Sequence, residues 1–244
     1  MSTGNSFAGV QNQRLSGALD LEFLLSNQFN NLEDSSLIII RKYVNAIGGK
    51  DNLLKIKNRT INLTAEVEGV TGNISIYQEY PDKLLQVNSV NGIEQKIIFN
   101  GSKGFWVSNL GTKELAGELL NQLKVDALFN FILDFPEAGI KATYDGIEKI
   151  KGKETFKIRF ALPDSTIMFE YFDVDTGLKI RQIKNFRSND NVIQQISDFA
   201  DYRLIEGVKY PFRIEQEFGP LKSLMEVSAI KVNQNFDDEI FEPK

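Results

Sequence analysis

The stretch from Lys153 to Asn185 constrains the fold more than any other part of the chain. From Lys153 to Leu162, apolar and polar side chains alternate with the period of two that a half-buried β-strand requires. The segments LPDS (162–165) and DVDTG (173–177) interrupt the alternation with residues that favour turns. The stretch therefore predicts three antiparallel strands joined by two turns, with positive φ at Gly177.

The same pattern recurs on both sides of this stretch. Alternating segments separated by turn sequences such as Asn91-Gly92 fill residues 60–107, and further ones fill residues 140–232. Consecutive segments of this kind form hairpins, because a short turn can only join antiparallel neighbours. We therefore predict a mainly β protein built on one large sheet.

Helical spacing occurs in two other segments. Asp34-Ser35-Ser36 is typical of a helix start, and the apolar residues of 37–47 follow at intervals of three and four until Gly48-Gly49. Residues 113–135 carry a wide apolar stripe, which predicts one long helix lying against the sheet. We expect residues 1–36 to be a flexible lead-in or the remnant of a removed segment, and residues 37–244 to form a single domain.

Composition excludes several classes of function. The chain of 244 residues has no histidine and no cysteine, which rules out imidazole-based triads, thiolate nucleophiles, disulfides and a lipid-anchored cysteine. The net charge of −5, with scattered Lys and Arg, argues against a nucleic-acid partner. We recognise no signal peptide, and the longest aliphatic run, Leu37–Ile40, is far too short to span a membrane.

Three segments suggest other chemistry but fit a plainer interpretation. A calcium loop starting at Asp173 would need glutamate at its twelfth position, where Lys184 stands, so a hairpin turn is favoured. Gly48-Gly49-Lys50 lacks the first glycine and the Ser/Thr of a phosphate loop, and is interpreted as a helix end. The carboxylates of residues 237–239 could suggest a catalytic or metal cluster, but the spacing of the sequence identifies no further ligand for one, so a solvated chain end is favoured. We expect no metal and no cofactor.

Several short pieces, taken in order, resemble the outer-membrane lipoprotein-sorting (LolA/LolB-like) superfamily. They are YVNAIGGK (43–50), YPDK (80–83), NG and GFW (100–106), DTGL (175–178), EGVKYPF (206–212) and DDEIF (237–241). More narrowly, they resemble the variant associated with insulinase-type zinc proteases of Bacteroidetes-like bacteria. The resemblance extends from about residue 37 to residue 243.

This resemblance implies an incomplete β-barrel of about eleven antiparallel strands, with helices on its concave side and an apolar cavity between them. It also implies a periplasmic or cell-envelope carrier or chaperone that holds lipid or lipoprotein acyl chains without catalysis. No residue of this chain matches a motif for the functional arginine of the family, so none is assigned that role.

Apolar residues of the sheet and the long helix are the candidates for lining such a cavity. They are Ile61, Leu63, Ile74, Ile76, Leu84, Ile97, Phe99, Trp106, Leu128, Phe131 and Ile132. The alternative for each is that it only fills the core. The alternative function is a structural or interaction domain accessory to an insulinase-type protease, with the cavity filled. An enzymatic function is disfavoured, because the Ser, Lys, Asp and Glu residues show no spacing that identifies a catalytic group.

Overall fold

The computed structural model describes residues 32–188 and 191–243. The strands are β1 (Asn58–Val67), β2 (Val70–Glu79), β3 (Lys83–Val90), β4 (Ile93–Asn100), β5 (Gly104–Ser108), β6 (Gly111–Glu114), β7 (Lys141–Ile150), β8 (Lys153–Ala161), β9 (Ile167–Asp173), β10 (Lys179–Ser188), β11 (Asn191–Ile205), β12 (Val208–Phe218) and β13 (Leu221–Val232). The helices are α1 (Leu32–Ala46), α2 (Lys50–Lys55), α3 (Gly117–Ala127) and α4 (Phe131–Asp134), and a 3-10 turn follows at Asp238–Phe241.

All thirteen strands belong to one antiparallel sheet, in the order β6-β5-β4-β3-β2-β1-β13-β12-β11-β10-β9-β8-β7. The predicted mainly β fold is confirmed, with a few more strands than predicted. The chain runs outward from β1 to the β6 edge, crosses to the opposite edge at β7, and returns strand by strand to pair β13 with β1. Such a crossing must pass over one face of the sheet, and it carries α3 and α4.

The predicted meander of residues 153–185 is present as β8, β9 and β10, and Gly177 has a φ of +73°. The Asp173 side chain accepts hydrogen bonds from the backbone N–H groups of Asp175 and Thr176, at 3.1 and 2.8 Å. Lys153 pairs with the same carboxylate at 3.1 Å. The segment is therefore a hairpin turn stabilised by its own aspartate, as predicted.

The first helix begins earlier than predicted. Leu32–Ser36, assigned to the lead-in, form the first part of α1, while residues 1–31 lie outside the described residues. Ser36 is buried, and its hydroxyl donates to the carbonyl of Ala142 in β7 at 3.2 Å. A side chain that would suit a helix cap is thus placed inside the helix by packing against the sheet.

The prediction of one helix over residues 113–135 is wrong. Residues 113 and 114 belong to β6, and the helical part is divided into α3 and α4. Between them, the backbone N–H of Phe129 donates to the carbonyl of Pro81 at 3.0 Å, so it bonds to the sheet and not to the preceding turn. The two helices then pack on different apolar clusters: Leu123 and Ala127 of α3 on the one with Leu84 and Phe99, and α4 on the main core.

The helices cover one face of the sheet, and the C-terminal turn covers the other. Leu84 and Phe99 pack with Leu123 of α3, whereas the adjacent Leu85 and Ile98 pack with Phe241. Successive residues of a strand point to opposite faces, so both faces of β3 and β4 are buried. We call the face beneath α3 and α4 the concave face.

Candidate ligand cavity

A cavity of about 300 Å³ lies between the concave face and the segment that contains α3 and α4. The helical side contributes apolar side chains, including Leu128, Phe131 and Ile132. The sheet contributes both apolar and polar ones, including Ile61, Arg59 and Glu170. This volume is at the lower end of the roughly 300–1,000 Å³ typical of ligand pockets.

The structure places all the strand residues proposed from the sequence on the concave face. Residues that pair directly across antiparallel strands share a face. The pairs are Ile61 with Ile76, Leu63 with Ile74, Gln78 with Leu84, Leu84 with Phe99, Gln86 with Ile97, and Ile97 with Trp106. Because Ile61 lines the cavity, its partners across the sheet face the same side of the molecule.

Only some of these residues meet at the cavity. Ile61, Leu128, Phe131 and Ile132 line it. The others lie elsewhere on the concave side: Leu63 is in the main core, Ile74 and Ile76 pack against that core, Leu84, Ile97 and Phe99 belong to the cluster beneath α3, and Trp106 is partly buried on β5. Their predicted role in binding a ligand stays a prediction.

A second, larger pocket of about 550 Å³ lies on the other side of α3. Phe99 and Leu128 line it, and it reaches the β8–β9 turn at Leu162 and Pro163. Val125 near the end of α3 and Leu128 just after it contribute to the walls of both pockets, so they lie between the two spaces.

The end of α3 is attached to the sheet by polar contacts. The Arg59 guanidinium on β1 donates to the carbonyl of Phe129 at 3.1 Å and to Gln78 Oε1 at 2.8 Å. Gln78 in turn donates to the carbonyl of Asp126 at 3.2 Å, and the Asp126 side chain forms an ion pair with Lys184 of β10. Residues 126–129 are therefore held to both sides of the cavity.

A buried polar cluster lies on the sheet wall of the cavity. Glu170 of β9 is fully buried, and its Oε1 accepts hydrogen bonds from Lys179 Nζ and Gln182 Nε2, both at 2.8 Å. Lys179 and Gln182 are three residues apart on β10 and would ordinarily face opposite sides. The register shift between Lys179 and Arg181 lets both point inward, as a β-bulge does.

Charge and burial act against each other in this cluster. Burial lowers the pKa of Lys179, but the neighbouring Glu170 carboxylate outweighs this effect and leaves the pKa raised, so the amine is protonated. Burial raises the pKa of the Tyr43 and Tyr202 phenols, so both remain neutral. The Tyr202 hydroxyl donates to the carbonyl of Lys179 at 2.7 Å.

Sequence reasoning missed the polar residues of the site, namely Arg59, Glu170, Lys179 and Gln182. A signal for one of them was present, because Glu170 occupies an inward position between Met168 and Phe172, both of which are buried. A carboxylate on the apolar face of a strand requires a buried partner. The partners themselves depend on the bulge, which the period of two does not predict.

Two further properties bear on the kind of site this is. Within residues 32–188 and 191–243, no group of three or more carboxylates is placed to hold a metal ion. No helix in that same part of the chain is long and apolar enough to cross a membrane.

An open, curved antiparallel sheet with helices across its concave side defines a LolA-like fold. Solved structures share it: a LolA superfamily protein from Nitrosomonas europaea (TM-score 0.58, 11% identity, covering 84% of this chain and 96% of that one), and a domain from Vibrio parahaemolyticus described as an outer membrane lipoprotein-sorting protein (0.59, 9%, 86% and 97%). A DUF1329 family protein from Desulfovibrio piger is similar as well (0.58, 12%, 85% and 97%).

At these identities the likeness concerns the fold alone. No family model matches the sequence, and no curated protein matches it.

Proposed function

We propose that this chain is a non-catalytic extracytoplasmic module that binds lipid or lipoprotein acyl chains in the cavity beneath α3 and α4. The observation that carries the proposal is the cavity itself, which is lined by apolar residues of the helices on one side and by the curved sheet on the other. The likeness to a domain described as an outer membrane lipoprotein-sorting protein supports this function and a location in the periplasm or cell envelope.

The arrangement of α3 supports a cavity that can enlarge. Its polar attachments are concentrated at residues 126–129, whereas its earlier part packs through Leu120 and Leu123 against apolar side chains of β3 and β4. Apolar contacts are not directional, so the earlier part of this helix can shift without leaving polar groups unpaired. The two pockets meet at Val125 and Leu128, so joining them also requires the hydrogen bonds from Arg59 and Gln78 to break.

The energetics suit an acyl chain. Each methylene removed from water contributes about 0.8 kcal/mol, so a chain needs no polar anchor to bind. A carrier must also release its ligand, and burial of a flexible chain is readily reversed when a partner offers an equally apolar site. No step of this proposal requires catalysis.

The test uses two ligands, a palmitoylated peptide and 1-palmitoylglycerol, with binding measured by native mass spectrometry. Ile61→Trp fills the cavity and is expected to weaken binding at least about tenfold, the equivalent of losing two buried methylenes. Ile183→Trp is the matched control. Ile183 alternates with Gln182 and Lys184, which line the cavity, so it faces the convex side.

The two outcomes are distinct. Loss of binding in Ile61→Trp alone, with both variants folded by circular dichroism, supports the proposal. If the wild-type protein binds neither ligand, the carrier function is wrong. The chain would then be better described as a structural or interaction domain, of the kind that accompanies insulinase-type proteases.

A further inference from the structure

Two buried polar atoms of the cavity have no hydrogen-bond partner. They are Glu170 Oε2, an acceptor, and Asn130 Nδ2, a donor. The side chains belong to residues that are 0% and 7% exposed, and both residues line the same cavity. Glu170 lies on the sheet and Asn130 lies between α3 and α4, so the two atoms come from opposite walls. Buried polar atoms are rarely left unpaired in folded proteins.

The Glu170 carboxylate is held in a fixed orientation. Its Oε1 accepts hydrogen bonds from Lys179 and Gln182, and the bulge in β10 brings these two donors together. The ammonium of Lys179 compensates the charge, while the buried Oε2 has no hydrogen-bond partner, and the residue lines the cavity. A carboxylate fixed in this way by its neighbours is preorganised to accept a further hydrogen bond.

We infer that Glu170 and Asn130 form a head-group site, which receives an acyl compound whose neutral polar end both donates and accepts a hydrogen bond. The inference rests on the proposed function and names the class of ligand at the same cavity. An acyl amide fits best, since its N–H can donate to Glu170 Oε2 and its carbonyl can accept from Asn130 Nδ2. A fatty alcohol offers the same two functions from one hydroxyl group.

A free fatty carboxylate fits this site poorly. It has no proton to donate to Glu170 Oε2, and it brings a second negative charge beside the first. The three cations nearest the buried cluster are already engaged: Lys179 pairs with Glu170, Lys184 with Asp126, and the Arg59 guanidinium donates to Gln78 and to the carbonyl of Phe129. The fourth cation of the lining, Lys209, is exposed to solvent. The site therefore discriminates by the head group, whereas the apolar walls accept the chain.

The experiment compares dodecanamide, dodecanol and dodecanoate as competitors that displace the dye bis-ANS from the full chain at neutral pH. The wild-type protein is expected to bind the amide and the alcohol at least about tenfold more tightly than the carboxylate, as a hydrogen bond to a charged group predicts. Desolvation of a carboxylate would favour the neutral ligands in any apolar cavity. Only the variants can therefore show whether Glu170 and Asn130 cause the preference.

Glu170→Gln keeps the shape of the side chain and replaces the free oxygen by a donor. We expect affinity for the amide and the alcohol to fall about tenfold and affinity for dodecanoate to rise, because Lys179 loses its anionic partner. Glu94→Gln is the matched control, since exposed Glu94 also pairs with a lysine of the sheet, Lys96, at 3.3 Å. It should leave all three affinities unchanged.

Asn130→Ala provides an independent test that leaves the ion pair intact. It should lower the affinity for the amide and the alcohol by a factor of about five and leave the affinity for dodecanoate unchanged. This variant still tests the inference if Glu170→Gln does not fold. If all three ligands bind and neither variant alters their order, the head-group site is wrong while the carrier function stands. If none of the three ligands displaces the dye from the wild-type protein, the proposed carrier function itself is wrong.

Discussion

Replacing Arg59 by methionine should loosen the end of α3 without unfolding the sheet. The side chain donates to Gln78 Oε1 at 2.8 Å and to the Phe129 carbonyl at 3.1 Å, and its guanidinium lies 4.7 Å from the centre of the Phe129 ring. Methionine retains the apolar stem and removes these interactions, together with the longer contact of 5.8 Å to the Tyr210 ring. Arg59 is thus expected to contribute to closure of the cavity more than to the stability of β1.

The magnitude follows from these contacts. Hydrogen bonds from a charged donor contribute about 1.5–3 kcal/mol each, and contact with an aromatic ring adds about 0.5–2 kcal/mol. Relief of the partly buried charge offsets part of this sum, because no ion pair to a carboxylate is seen for Arg59 among the described residues. We expect a net loss of about 2 kcal/mol, which corresponds to a roughly thirtyfold increase in the open population.

Native-state amide hydrogen exchange measures this opening directly. The reporter is the amide of Phe129, which donates to the Pro81 carbonyl at 3.0 Å. Its protection should fall about thirtyfold in Arg59→Met, while amides in the centre of the sheet keep theirs. Arg213→Met is the control, because Arg213 forms only surface ion pairs with Glu215 and Glu226.

Two results would refute this reasoning. If protection at Phe129 changes by less than about threefold, the guanidinium does not hold the segment closed. If protection falls equally throughout the sheet, Arg59 stabilises the whole fold, and α3 has no separate opening.

Two further predictions concern turns. Gly48→Ala should lower the free energy of unfolding by at least about 3 kcal/mol in urea titrations, because its φ is +130° and a Cβ would lie 2.1 Å from the Gly207 carbonyl oxygen. Gly49→Ala, with a φ of +85° and nothing within 4 Å, should lose only about 1–2 kcal/mol, and equal losses would contradict the steric argument. Burial acts to raise the pKa of the Asp173 carboxyl, but hydrogen bonds from Thr176 and the charge of Lys153 lower it overall from its ordinary value of 3.8. A lowered folded-state pKa stabilises the fold above the ordinary pKa of the carboxyl, and this stability is lost as the pH falls through the folded-state pKa. Asp173→Asn should therefore cost about 1 kcal/mol at pH 7, and the difference should shrink steadily as the pH falls below 3.8. A pH-independent difference in the melting curves would assign the effect to geometry instead of charge.

The concave face could be predicted from the sequence because strand alternation is a local property. Ile61 and Leu63 were assigned to one face of their strand from their spacing, and the sheet pairs with Ile76 and Ile74 place them together on the concave face. Each strand carries its own period, so no long-range contact is needed to establish it. The turns at Gly177 and Gly48 were predictable for a similar reason, since positive φ is a property of the single residue.

The division of the long helix could not be predicted in this way. Residues 113–135 have helical spacing throughout, yet Phe129 bonds to Pro81 and Arg59, which are far away in the sequence. The extra turn of α1 has the same origin, because the Ser36 hydroxyl finds its acceptor on β7. In both places a distant hydrogen-bond partner outweighed the local preference.

By itself, then, the sequence determined the strands, most of their turns and the apolar side of the sheet, since these follow from backbone preferences and periods that span only a few residues. The tertiary structure alone decided which apolar residues enclose a cavity and which fill the core, because that depends on where α3 crosses the sheet. It also decided that Glu170 meets Lys179 and Gln182, since the bulge that unites them arises from pairing between neighbouring strands.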